Sequence, residues 1–309
     1  MPAPSIRIPI ELLTQASFFQ FGTVIENPAH SEAPLSQRLP PPDSVSVNQG
    51  TALKYIDVTH MANLYNLAPS KKPARAVMNM FVCSPRELRP HEPSESMPSS
   101  WGDIDLDDDE DNGERQLFDV KILERHPFTT QTFIPMGLSQ TYNSTQYLVI
   151  VAPTLPASAS RRNVDRPPSP TPGPRKRRSV RDIFARARPS PYTNEVAPPP
   201  STYSRLNPSQ RPKGPGLPDL KNIRAFIASG NQAVTYGAGT WHAPMAVLGE
   251  RNIDFVVVQF ANGVGIEDCQ EIELIPERGA DEGIAVLVEM DYRGGVRVKA
   301  GPGPVKAKL

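Results

Sequence analysis

The residues with the most chemical potential lie in two short segments. One is Glu124-Arg125-His126 with Gln131 five residues later; the other is Gly237-Ala-Gly239-Thr-Trp241-His242. A carboxylate, two imidazoles and a carboxamide form a donor set that can hold one divalent ion through Glu124, His126, Gln131 and His242. Neutral Gln131 is a poor ligand, so such a site is weaker than three histidines with a carboxylate. The same four side chains can also work without metal, as acid, base and hydrogen-bond donors. Spacing alone does not decide between the two. The Gly-rich turn admits backbone angles closed to other residues and can present Trp241-His242 at the mouth of a strand. From its local sequence, His242 is equally a hydrogen-bonded core histidine.

These residues must be held by short strands. Alternation puts Thr129, Gln131 and Phe133 on one face and Thr130, Thr132 and Ile134 on the other. Arg224–Ile227 and Ala233–Tyr236 have strand patterns, and Ser229-Gly-Asn-Gln232 between them has the composition of a hairpin turn. Tyr147–Ala152 is a continuous apolar run, as in a strand buried on both faces. Arg75–Val82, Leu117–Arg125 and Asp254–Phe260 are further strands. Asn48–Asp57 is a turn leading into a strand that carries Lys54, for which solvent is the default. Near the N-terminus a short helix is expected, with Thr14 as N-cap and Gly22 after the last turn, leading into a strand at Thr23–Glu26. Many short strands with hardly any helix predict a mainly β fold, an antiparallel barrel or sandwich.

Composition narrows the rest. The chain has 309 residues, 36 of them proline, and a formal charge of zero, so no global field favours nucleic acid or membrane. Its two cysteines, Cys83 and Cys269, support neither a disulfide scaffold nor a thiolate metal site. There is no run of apolar residues long enough to span a bilayer and no signal-peptide pattern, which points to a soluble intracellular protein. Charge is separated locally. Residues 91–114 hold ten Asp/Glu and no Lys/Arg, whereas 155–215 hold thirteen Lys/Arg against three Asp/Glu, with fourteen prolines. Both are expected to be disordered insertions in a single domain spanning 6–275, followed by a C-terminal extension, 276–309. Pro174–Arg181 has the composition of a nuclear-import or nucleic-acid patch, but a solvated loop explains it better, and nucleic acid is not an expected partner. The chain ends Ala307-Lys308-Leu309, a near match to the Ser-Lys-Leu peroxisomal address, so the expected location is cytoplasmic or peroxisomal.

Glu124-x-His126, Gln131 and Gly137 resemble the first motif of the cupin barrels, with Glu for the first His and Gln for the Glu. Gly237-x-Gly239-x-x-His242 resembles the second, with Gly where proline is usual. A wider set is more specific: Asn48-Gln-Gly-Thr-Ala, Glu124-Arg-His-Pro, Thr130-Gln-Thr-Phe-Ile-Pro-Met-Gly137, Leu148-Val-Ile-Val-Ala, Pro218-Asp-Leu with Arg224-Ala-Phe, and Gly230-Asn-Gln-Ala-Val-Thr-Tyr-Gly with Gly239-Thr-Trp-His-Ala-Pro-Met. Together they resemble the ureidoglycolate lyase family of fungal allantoin degradation. The resemblance implies a cupin-like barrel, a homodimer, and cleavage of (S)-ureidoglycolate to glyoxylate and urea. It also implies a possible single divalent metal of the nickel type. On that chemistry His242 is the base. Glu124 or His126 protonates urea or holds the ion, and Gln131 bonds the ureido group. Lys54 and Arg224 are candidates for the carboxylate, and Trp241 is a further substrate-side candidate. Asn48 and Gln49 sit on a loop that could close the site. A metal-dependent cupin oxygenase or isomerase and a ureidoglycolate amidohydrolase releasing ammonia are the competing readings.

Overall fold

A computed structural model describes residues 1–28, 43–91, 115–137, 145–156, 208–277, 282–290 and 295–298. Most of both charged insertions, with Pro174–Arg181 and the terminal Ala307–Leu309, lies outside the described residues.

The strand Thr145–Ala152 is the centre of the fold. Its side chains alternate between faces. Tyr147, Val149 and Val151 enter one apolar core, while Leu148, Ile150 and Ala152 enter another. This double burial is why its sequence is apolar without a break. The sheet around it runs in the order Gln270–Glu273, Ile122–Arg125, Trp241–His242, Thr145–Ala152, Arg224–Ala228, Ile10–Leu12, with Ala246–Gly249 also paired to Thr145–Ala152.

A second sheet covers the Tyr147 face. Its order is Gly22–Ile25, Ala233–Tyr236, Gln131–Met136, Ile253–Ala261, Arg75–Cys83, and every pair is antiparallel. Phe133, Val234, Phe255 and Val257 supply its share of the core. Tyr147 and Phe255 meet edge to face at 5.1 Å, a geometry their ring quadrupoles favour. A third sheet covers the opposite face, in the order Ile6–Ile8, Ile284–Met290, Arg115–Asp119, Arg89–Pro90. Ile284–Met290 lies beyond residue 275 and is central in this layer, burying Ile284, Val286 and Val288 against Leu148 and Ile150.

The mainly β expectation therefore holds. Among the described residues, however, the sheets stack as a sandwich and do not close into a barrel, because Gly22–Ile25 and Arg75–Cys83 are edges of the second sheet. Two local expectations change with it. Ser229–Gln232 is not a hairpin turn, since Arg224–Ala228 and Ala233–Tyr236 belong to different sheets. It carries the chain between layers, pinned by the Gln232 amide donating to Leu13 O at 3.0 Å and to Glu26 Oε2 at 2.8 Å. Leu117–Arg125 also divides, its halves Arg115–Asp119 and Ile122–Arg125 belonging to two layers. The N-terminal helix is a single turn, Gln15–Phe18, with Thr14 and Ser17 capping each other's backbone N–H. Such a cap contributes about 1 kcal/mol. It holds Phe18 in the core, and Gln15 Oε1 accepts from Val24 N at 2.7 Å to start the next strand.

Residues 208–216, at the end of the basic stretch, pack on the body of the fold. Gly214 O and Gly216 O each accept from Arg125 Nη1 at 2.9 Å.

Candidate functional site

Strand pairing brings the two chemical segments together. Glu124 and His242 are directly opposite on adjacent antiparallel strands, and His242 is opposite Val151 on its other side. Val151 faces the second sheet, so Glu124 and His242 point into the same space between layers. Gln131 starts the facing strand, opposite Tyr236 and Gln259. The turn before His242 is shaped by two glycines. A Cβ on Gly237 would lie 2.1 Å from Ser209 O, and Gly239 has φ +77°, in the left-handed region. That conformation lets Gly239 N donate to His126 O at 2.8 Å, tying the two motif segments by their backbones.

The side chains then converge. His242 Nε2 lies 3.1 Å from Gln131 Oε1 and 3.4 Å from Glu124 Oε1. Its ring stacks on Tyr236 at 4.0 Å, and the His126 ring lies 5.8 Å away. Both histidines use Nδ1 in the same way. His126 Nδ1–H donates to Asp268 O at 2.6 Å and His242 Nδ1–H donates to Thr240 O at 3.0 Å. A backbone carbonyl can only accept, so each Nε2 keeps its lone pair. Gln131 donates its amide to Gln259 Oε1 at 2.8 Å, which turns Oε1 toward His242.

The centre is therefore surrounded by acceptors: two Nε2 atoms, a carboxylate oxygen and a carboxamide oxygen. Such a cluster requires a cation. A proton on His242 Nε2 would satisfy that ring and its two oxygen neighbours. It would leave His126 Nε2 buried with no hydrogen-bond partner, an arrangement that costs about 1–3 kcal/mol. Nor does His126 readily carry the proton itself. Burial, and then the charge of His242, push its pKa from 6.5 down to about 4. One divalent ion would satisfy Glu124, His126 and His242 at once, since their ligand atoms lie within 4.8 Å of one another. Nitrogen and oxygen donors of this kind suit a transition ion better than Mg²⁺ or Ca²⁺. The residues present fit a metal.

Glu124 is the member of the set that meets solvent. Its side chain is 21% exposed, against 1% for His242. It lines a cavity of about 380 Å³ with Phe81, Ser84, Arg86, Phe133 and Met245. Burial raises the Glu124 pKa, but the hydrogen bond and charge of His242, the charge of His126 and the Cys269 thiol together bring it below the ordinary carboxylate value. Its second oxygen faces Cys269 Sγ at 3.9 Å.

The other expected site residues are elsewhere. Trp241 points away because neighbours on a strand alternate. It is buried in the opposite core, its indole donating to Gly216 O at 3.1 Å beneath the Arg125 guanidinium. Arg224 is held by a bidentate pair with Glu11, donates to Ser17 O and lies over Phe226. It has no free fork for a carboxylate. Lys54, Asn48 and Gln49 lie on a separate two-stranded hairpin, Ser44–Val47 with Ala52–Tyr55, and are exposed.

Four contributors were not foreseen. Arg86 brings a cation to the cavity from just beyond the Arg75–Cys83 strand, where the alternating pattern had ended. Gln259 was readable as inward-facing on Asp254–Phe260, but only strand register reveals Gln131 as its partner. Tyr236 shares the His242 face by the same logic. Asp268 acts through its backbone, which carries no sequence signal. Its carboxylate fixes that backbone by accepting from Tyr65 Oη at 2.6 Å, Asn262 N at 2.8 Å and Gly263 N at 2.7 Å.

Comparison with known proteins identifies the family. A family model described as ureidoglycolate lyase matches residues 5–278. A Schizosaccharomyces pombe protein named ureidoglycolate lyase is 28% identical over 264 residues, 85% of this chain and 90% of that protein. A Saccharomyces cerevisiae protein of the same name is 29% identical over 286 residues, 92% of this chain and 100% of that one. A Burkholderia mallei protein, also so named, is 24% identical over 249 residues, 81% of this chain and 79% of the other.

Proposed function

The chain belongs to the ureidoglycolate lyase family, and we propose that it cleaves (S)-ureidoglycolate to glyoxylate and urea at the Glu124–His126–Gln131–His242 site. It is a lyase; the comparisons do not favour an oxygenase or isomerase. The observation that carries the site assignment is the pair of histidines with both Nδ1–H groups tied to backbone carbonyls and both Nε2 lone pairs converging beside Glu124.

Ureidoglycolate carries a carboxylate, a hydroxyl and a ureido nitrogen on one carbon. Elimination removes the hydroxyl proton, makes the C=O bond of glyoxylate and breaks the C–N bond, with the electron pair leaving on nitrogen. That nitrogen needs a proton, so the net event is one proton moved from oxygen to nitrogen. Glu124 is our choice of carrier, because it alone of the four lines the cavity. One of its oxygens faces His242, and the other, beside Cys269 Sγ, is the one that would meet the substrate. His242 and His126, buried behind it, orient the cluster.

Glu124, His126, His242 and Gln131 would hold a divalent ion, with nickel or zinc matching the donors. Such an ion supplies Lewis-acid polarisation of the substrate hydroxyl. Arg86, in the cavity that Glu124 lines, offers a planar fork for the carboxylate.

Its partner is the small-molecule substrate, and we assign a homodimer as its working form. Among the described residues no helix is long and apolar enough to cross a membrane. The location we propose is cytoplasmic, or peroxisomal through Ala307-Lys308-Leu309. The site assignment is tested with Glu124→Gln and His242→Ala. Each is expected to lower kcat at least 100-fold while the thermal midpoint stays within a few degrees. Full activity in Glu124→Gln would remove Glu124 as the proton carrier. Chelation is expected to abolish turnover, with recovery on adding a divalent ion.

A further inference from the structure

The inference here rests on that reading of the site and concerns what holds its second histidine. Residues 62–72, which precede the strand Arg75–Cys83, grip two segments of the site. The first is 128–130, the stretch between His126 and Gln131. Ala62 N donates to Thr130 Oγ1 at 2.9 Å, Thr130 N to Ala62 O at 3.3 Å and Leu64 N to Phe128 O at 2.8 Å. Tyr65 is buried, and its ring packs against Phe128 at 5.9 Å.

The second segment is 262–269, and the Tyr65 hydroxyl reaches it. Its one proton has two acceptors in range, Asp268 Oδ1 at 2.6 Å and Phe260 O at 3.2 Å. The shorter bond, to an ionised group, is the stronger. Burial, and then that hydrogen bond, push the phenol far above its ordinary pKa, so it remains a donor at neutral pH. Asn262 N and Gly263 N donate to the same carboxylate, but they belong to the same loop and cannot anchor it to the rest of the fold. Tyr65 can. The loop in turn meets the site twice. Asp268 O accepts from His126 Nδ1 at 2.6 Å, and Cys269 Sγ–H donates to Glu124 Oε2 at 3.9 Å. A thiol is a weak donor, so the contact with His126 is the decisive one.

The tautomer of His126 is contested between its two sides. The acceptors of the centre favour a proton on Nε2, whereas Asp268 O favours it on Nδ1. Only the Nδ1–H form offers a metal the Nε2 lone pair. We infer that Tyr65 is a positioning residue for His126: its hydroxyl fixes the Asp268 backbone, and thereby the tautomer that leaves Nε2 free to bind an ion. Ser70 supplies the contrast. It braces the same loop through Glu267, with Ser70 N donating to Oε1 at 2.7 Å and Ser70 Oγ to Oε2 at 2.6 Å, and neither bond goes to Asp268.

Two hydroxyl deletions test the assignment. Tyr65→Phe removes the phenol and keeps the ring, while Ser70→Ala removes a hydroxyl from the same brace, and folding of each is checked by thermal melting. Long-range nitrogen NMR of the histidine rings in metal-free protein should find the His126 proton on Nδ1 in wild type and Ser70→Ala. In Tyr65→Phe it should find a mixture of the Nδ1–H and Nε2–H forms. In a competition titration Tyr65→Phe should bind Ni²⁺ or Zn²⁺ about tenfold more weakly than wild type, and Ser70→Ala as tightly as wild type. A wild-type tautomer or a wild-type affinity in Tyr65→Phe overturns the inference. Equal weakening in Ser70→Ala does so too, because Tyr65 would then be only one brace of the loop among others. A His126 proton on Nε2 in wild type contradicts it outright. If wild type bound neither ion, the metal reading of the site would fail, while the tautomers of the metal-free proteins would still decide the role of Tyr65.

Discussion

Gln259 touches none of the proposed chemistry, yet it sets which end of Gln131 faces the site. Gln131 Nε2–H donates to Gln259 Oε1 at 2.8 Å, and this leaves Gln131 Oε1 3.1 Å from His242 Nε2. Replacing Gln259 with Leu removes the acceptor. The Gln131 amide is then free to rotate and donate its NH₂ to the His242 lone pair, which turns a ligand into a blocking donor. The direct loss is one neutral hydrogen bond, about 1 kcal/mol. For a domain of this size that lowers the thermal midpoint by only about 2–4 °C. The functional loss is larger, since removing a group that orients a ligand typically costs about 10–100-fold in metal affinity or activity. Gln259→Leu should therefore weaken Ni²⁺ or Zn²⁺ binding about 10–100-fold in a competition titration and lower kcat in parallel. Gln259→Glu keeps the acceptor and should stay much closer to the parent. Equal affinities in Gln259→Leu and wild type would refute the orientation argument. So would equal losses in the Leu and Glu variants.

Trp241→Ala should act through stability alone. The indole is buried in the core opposite the site and lies 4.5 Å beneath the Arg125 guanidinium. The expected cost is about 3–5 kcal/mol, read as a reduced urea midpoint with KM unchanged in the fraction that remains folded. His126 should impose an acid limit on the metal-free fold. Its folded pKa of about 4 lies below the ordinary 6.5, so between these values the unfolded chain binds more protons. Stability should be fully present above about pH 6.5 and fall as pH approaches 4, by on the order of 3 kcal/mol. Urea titrations across that range should show the slope in wild type and a flatter one in His126→Gln.

Much of the fold could be read from the chain because burial leaves a pattern. The unbroken run at Tyr147–Ala152 announced a strand covered on both faces, and Thr14 marked the start of the first helix. Gly22, expected just after its last turn, instead opens the strand Gly22–Ile25. The run at Ile284–Met290 is of the same kind, yet it lies past the end of the resembling segments. What composition cannot carry is pairing. Ser229–Gln232 has the residues of a hairpin turn whether the strands it joins are neighbours or lie in different layers. Within the site, spacing singled out Glu124, His126, Gln131 and His242, which the strands bring side by side. Register was needed to set Glu124 opposite His242 and to turn Trp241 away from it. Arg224 has the right charge for a carboxylate, but a charge cannot announce that Glu11 already holds it. Tautomers were invisible as well, because both are fixed by backbone carbonyls, at Asp268 and Thr240.

The products are the most direct test of elimination at this site. Purified protein given racemic ureidoglycolate should release glyoxylate and urea in equal amounts, consuming half of the substrate if only the (S) form reacts. Ammonia should appear only after urease is added. An amidohydrolase would attack the ureido carbonyl with water and release ammonia by itself. Stoichiometric ammonia without urease, or no glyoxylate at all, would contradict the elimination assigned to this site.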